Sequence, residues 1–151
     1  MHLLLVAFLL LAQAASTTNL AITGAESATF ATSDTNACFV DDSNALNAQL
    51  TDPSSAIILS LRVLATPGDH PARDQVTALT LDGPADDAFV NWSAASGTVT
   101  LDDLSAKVPV EAGDNTVQAS THGVVGHIDA ELSSRLGSMH VLGAFACHRP
   151  D

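Results

Sequence analysis

Four histidines fall within the last thirty residues of the chain: His122, His127, His140 and His148. Imidazole nitrogens combined with a carboxylate are the donor types that hold Zn²⁺ or Cu²⁺. If 123–132 and 139–147 form a hairpin over the loop Ser133–Ser138, then His127, Asp129 and Glu131 share one face. A register that sets Glu131 opposite His140 would bring imidazole and carboxylate together. The candidate metal ligands are therefore His122, His127, Glu131, His140 and His148. Neither an HxH nor an HExxH spacing is present, so a solvated polar face competes with the metal reading. There, a cross-strand His–Glu pair would add roughly a few tenths of a kcal/mol.

The other chemistry-bearing patterns are weaker. Asp41-Asp42, Asp86-Asp87 and Asp102-Asp103 supply the oxygen donors that Ca²⁺ takes from loops. They lack an EF-hand order, and solvated turn residues explain them equally well. Neither a G-x-S-x-G elbow, an S-x-x-K motif nor a Cys–His pair is present in a usable form. No catalytic residue is therefore assigned, and no cofactor is implied. Asn91-Trp92-Ser93 is an N-glycosylation sequon, meaningful only in a eukaryotic host. Trp92 is the only tryptophan, and it reads as a core anchor before it reads as a ligand platform.

The elements that must position these residues read as strands. Ile57, Leu59, Leu61 and Val63 alternate with Ile58, Ser60, Arg62 and Leu64. Val99 and Leu101 alternate with threonines. Ile128, Ala130 and Leu132 alternate with His127, Asp129 and Glu131. A period of two is the signature of half-buried antiparallel strands. Pro109 between Val108 and Val110 marks an edge, because proline cannot donate to a ladder. Turn clusters separate the runs at 52–55, 66–71, 82–84, 111–115 and 133–138. A helix over Ser54–Leu64 competes in one place, but the β-branched content and the Thr-Pro-Gly stop favour a strand. The fold expected is all-β, an antiparallel β-sandwich, immunoglobulin-like or similar, of about eight to ten strands with one disulfide.

Cys38 and Cys147 are the only cysteines. In an exported chain an even pair is most simply one disulfide, here closing a loop of about 110 residues. Free thiols or thiolate metal ligands are the alternatives, but neither cysteine has a second soft ligand near it in sequence. Residues 3–12 form an apolar run too short to span a bilayer, followed by Ala12-Gln13-Ala14. That predicts a cleavable secretory signal peptide over residues 1–15, cut near Ala14, although no Lys or Arg precedes the apolar run. Residues 16–27 read as a short linker or first strand, and 28–151 as the folded domain. The protein is therefore expected to be secreted or periplasmic.

A net charge of −12, from 17 acidic and 5 basic residues, excludes nucleic acid as a partner. The same imbalance disfavours anionic membrane surfaces. Neutral or cationic partners fit it, among them a protein or carbohydrate of the cell envelope. The charge would also serve solubility alone.

Three stretches carry a family resemblance: Ala37-Cys38, Gln75–Leu81 and Val141–Cys147. In spacing and pattern the chain resembles the mycobacterial lipoprotein antigen family, over roughly residues 28–148. It departs from that family in lacking the lipobox cysteine, which removes the lipid anchor. The resemblance implies a non-enzymatic envelope or secreted factor. The reading that follows is a secreted or envelope-associated, non-catalytic binding or structural domain. A periplasmic metal-binding protein using the C-terminal histidines is the alternative, and a small hydrolase without a recognisable motif the third.

Overall fold

The computed structural model describes residues 18–25, 27–32, 36–52, 57–85, 88–111 and 117–150. The expected leader, 1–15, and the doublet Asp86-Asp87 lie outside them. Ten strands and no helix make up the described residues. In order they are β1 (Thr18–Gly24), β2 (Ala28–Thr32), β3 (Asn36–Val40), β4 (Ala45–Asp52) and β5 (Ile57–Leu64). Then follow β6 (Gly68–Pro71), β7 (Ala78–Ala85), β8 (Ala88–Glu111), β9 (Val117–Ser134) and β10 (Gly137–His148).

The period-two runs become strands with one face turned inward. Ile57, Leu59, Leu61 and Val63 of β5 are buried, while Ile58, Ser60, Arg62 and Leu64 are half-buried. Leu46, Leu50, Leu79, Leu81, Trp92, Val99, Leu101, Ile128, Leu132, Val141 and Phe145 meet them in a single core. Trp92 is 1% exposed, so it is the anchor its uniqueness in the sequence suggested. The core is apolar, and among the described residues Asp52 is the charged side chain buried at its margin.

The arrangement corrects the expected sandwich. β10, β3, β4, β5, β7, β8 and β9 pair in sequence around a closed ring, a seven-stranded β-barrel. Alternation along a strand is the same in a sandwich and in a barrel, because both bury one face. What decides between them is whether the outermost strands meet. Here they do, through the pairs Cys147↔Asn36 and His148↔Ala37. An odd ring cannot alternate direction throughout, so one neighbouring pair must run parallel. β10 and β3 are that pair.

The seam is short, and three features support it. The disulfide Cys38–Cys147 crosses it, with Cα atoms 5.7 Å apart and 109 residues between them in sequence. β1 occupies the same edge of β10 one step earlier, from Asn19↔Ala144 to Gly24↔Met139. β1 thus packs as a strand of the folded body. At the junction the buried Thr18 hydroxyl donates to Ala146 O at 3.3 Å and accepts from Ala146 N–H at 3.1 Å. A side chain therefore pairs Ala146, one of the two residues that sit between the two strand neighbours. β2 pairs with β1, and its Ala31 N–H donates to the buried Asp52 carboxylate at the end of β4 at 3.2 Å.

β8 bends to turn the sheet around. β7 pairs with its first part, from Thr80↔Ser93 to Ala85↔Ala88, and β9 with the rest. Register shifts fall between Ala94 and Ser96, Leu101 and Asp103, Asp103 and Ala106, and Ala106 and Val108. Each extra residue kinks the strand and raises its twist. Past the last shift, Val108 packs with Val125 and Ala146 in a second small cluster. Among the described residues Pro109 is paired with Ala119 of β9 alone, which fits a residue that cannot donate to a ladder. Asp82-Gly83-Pro84, expected as a turn, instead continues β7. Thr66–Pro71, also expected as a turn, contains the short strand β6. Gly143 in β10 has φ 145°, and a Cβ there would run into the Asn19 carbonyl. Its lack of a side chain is what lets β1 lie so close.

Candidate functional site

The expected hairpin of β9 and β10 forms, and His140 stands opposite Glu131 as the sequence indicated. The side chains settle differently. His140 Nε2 lies 2.7 Å from Asp129 Oδ1, while its Nδ1 is 3.9 Å from Glu131 Oε2. A diagonal neighbour on the same face has taken the hydrogen bond that the direct cross-strand pair was expected to make. His127 turns away from this pair, its Nδ1 3.0 Å from Asp102 Oδ2 on β8. Its cross-strand neighbour Thr100 donates instead to Asp69 Oδ1 at 2.7 Å. His148 pairs in register with Gly123 at the other end of β10, and His122 precedes that glycine on β9. The five proposed ligands His122, His127, Glu131, His140 and His148 thus spread along the barrel wall. Among the described residues no group of three or more His, Cys, Asp or Glu side chains is placed to hold one metal ion.

The Asp doublets that can be described serve local structure. Asp41 follows β3 and accepts from the Ser43 N–H at 2.9 Å, the Ser43 hydroxyl at 2.6 Å and the Ala45 N–H at 3.1 Å. Its other oxygen accepts from Asn47 Nδ2 at 3.0 Å and from Arg62 Nη2 at 3.2 Å. The Ser43 hydroxyl first, then Asn47 and the Ala45 amide, hold this carboxyl far below the usual carboxylate range. Asn44 closes the turn with φ 59°, a left-handed conformation that asparagine tolerates. Asp103 accepts from the Ser105 N–H at 2.8 Å, at one of the β8 bulges. In the sequon, Asn91 Nδ2 donates to Asp82 Oδ1 at 2.8 Å.

Sequence reasoning missed a different surface. On the outer face of β3, β4, β5 and β7, Phe39 pairs with Asn47, Asn47 with Arg62, and Arg62 with Ala78. The next row outward-facing along the strands is Gln49, Ser60 and Thr80. Together they line an open groove of about 510 Å³. Phe39, which directly follows the buried Cys38, is 60% exposed. Arg62 is fixed across the end of the groove: Nη1 donates to Val76 O at 3.1 Å, and Nη2 also donates to Ser43 Oγ at 2.9 Å. Asn47 gives its amide protons to Asp41 and to Ala45 O, so its Oδ1 is left over as an acceptor. The signal for this surface was in the alternation. If Cys38 points inward, Phe39 must point outward, and Arg62 must share the face of Ser60.

No protein-family model matches the chain, and comparison with curated proteins and with solved structures finds no match either.

Proposed function

We propose that this protein is a secreted or envelope-associated binding module without catalytic activity, and that it engages its ligand through the groove on β3, β4, β5 and β7. The observation that carries this reading is Phe39. An aromatic ring left 60% exposed on a rigid sheet, beside a guanidinium held by three partners, forms a preorganised contact surface. The strand platform adds little ordering cost on binding, because its backbone is already fixed by ladders on both sides. The disulfide supports an oxidising compartment, which agrees with the expected leader. The resemblance to the mycobacterial lipoprotein antigens supports the same non-enzymatic role. The overall charge favours a partner that is neither nucleic acid nor an anionic membrane.

The test is co-sedimentation of the purified protein with the insoluble cell-envelope fraction of its source organism. Wild type is expected to pellet with that fraction. Phe39→Ala, whose side chain lies mostly in solvent and whose melting temperature should be unchanged, is expected to stay in the supernatant. Equal retention of the two proteins, or no retention of either, rejects the groove as the binding face.

A further inference from the structure

We infer that the groove is a binding site for a neutral glycan, with one sugar ring resting on Phe39 and its hydroxyls shared among Asn47, Gln49, Ser60 and Thr80. The inference rests on the groove being the binding face, and it names the ligand class.

Three observations converge on it. The first is charge. The chain carries −12 overall, yet Arg62 is the only charged residue that lines the groove. Its guanidinium faces the ionised Asp41 at 3.2 Å, so the groove presents no net charge for a phosphate or carboxylate to find. An anionic ligand would meet a compensated arginine inside an acidic protein, and a cationic ligand would find no carboxylate lining the groove. A neutral ligand loses nothing on either count.

The second is the hydrogen-bonding inventory. A sugar hydroxyl both donates and accepts, so its site must offer both kinds of group. Asn47 offers an acceptor once its protons are spent on Asp41 and Ala45. Gln49 offers both kinds, and so do the Ser60 and Thr80 hydroxyls. Among the described residues no hydrogen bond ties down the side chains of Gln49, Ser60 or Thr80. Their capacity is therefore available to a ligand.

The third is the lone aromatic. The face of a phenyl ring is electron-rich, and the C–H bonds of a sugar ring direct a weakly positive surface onto it. A protein partner would be served by a cluster of aromatic and aliphatic anchors. Of the residues lining the groove, Phe39 alone is a large exposed apolar side chain. A volume of about 510 Å³ falls within the range of small-ligand clefts.

The experiment titrates ¹⁵N-labelled full-length mature protein with four neutral tetrasaccharides, of cellulose, chitin, starch and mannan type, and in parallel with oligogalacturonate. Backbone amides of β3, β4, β5 and β7 and the side-chain amides of Asn47 and Gln49 are followed by NMR. At least one neutral sugar is expected to shift these resonances at millimolar concentration or below, with oligogalacturonate giving no shift. Phe39→Ala should weaken binding by about tenfold or more, and Gln49→Ala by severalfold. No response to any neutral sugar, a response outside the groove, or preference for the anionic oligomer overturns the inference. The groove reading has its own arm. If envelope retention depends on Phe39 but survives periodate oxidation of the envelope sugars, the binding face stands and the glycan assignment falls.

Discussion

Asp41 gathers five hydrogen bonds from Ser43, Ala45, Asn47 and Arg62, and so governs both a turn and one end of the groove. Because the Ser43 hydroxyl, Asn47 and the Ala45 and Ser43 amides hold its carboxyl below the ordinary value of 3.8, its stabilising contribution is complete above that pH. It is lost as the pH falls from there through the lowered folded value. Asp41→Asn is therefore expected to melt below wild type at neutral pH, with the gap closing in acid below about pH 3.8. Melting curves of the two proteins from neutral pH down to pH 2 check this. Asp74, also lowered, by the Thr77 and Val76 amides, titrates in both proteins and cancels in the difference. At this scale the sequence was partly legible. The Cys38–Cys147 bridge and the burial of Trp92 follow from residue type alone. That His140 would bond Asp129 before Glu131 does not, because cross-strand register places backbones and leaves rotamers to choose among neighbours about equally near.

Among elements, β1 and β3 divide one edge of β10 between them, and Thr18 occupies the point of handover. Thr18→Val keeps the shape but leaves the buried Ala146 N–H and C=O without their partner. The cost of unsatisfied buried groups is on the order of 1–3 kcal/mol, and Thr18→Ser should recover most of it. Urea unfolding of the three proteins measures the difference. The strands themselves were legible wherever apolar residues alternate, as in β5, β9 and β10. Asp82-Gly83-Pro84 misled because its turn chemistry is local, whereas its place in β7 is set by pairing with Phe89 and Val90 on β8. Phe39 and Arg62 were legible only after Cys38 and Leu61 had been assigned inward, so the groove could not be seen before the strands were.

For the molecule as a whole, ring closure depends on a two-pair seam with a covalent clamp across it. Replacing both cysteines, Cys38→Ser with Cys147→Ser, is expected to cost up to ~4–5 kcal/mol by the loop-entropy estimate for a loop of this length. Urea unfolding gives the loss, and amide hydrogen exchange should show β3 losing protection before β5 or β7. An undiminished unfolding midpoint would mean that the core alone holds the ring shut. Closure was the part of the fold that the amino-acid pattern did not announce. Period two tells each strand which side is inward, but whether strand 36–40 meets strand 137–148 depends on accumulated twist and on the β8 bulges.

That meeting has a consequence for how the chain is made. As synthesis proceeds from the amino terminus, β3 exists for most of that time with one flank bare, since β10, the neighbour that covers it, awaits residues 137–148. Local hairpins such as β4–β5 can zip early, but the final step must bring together segments more than a hundred residues apart. Long-range pairing of this kind is intrinsically slow. Until it happens, the uncovered flank can be filled by the matching strand of another copy, so a nascent population held at high concentration is prone to exchange strands between chains.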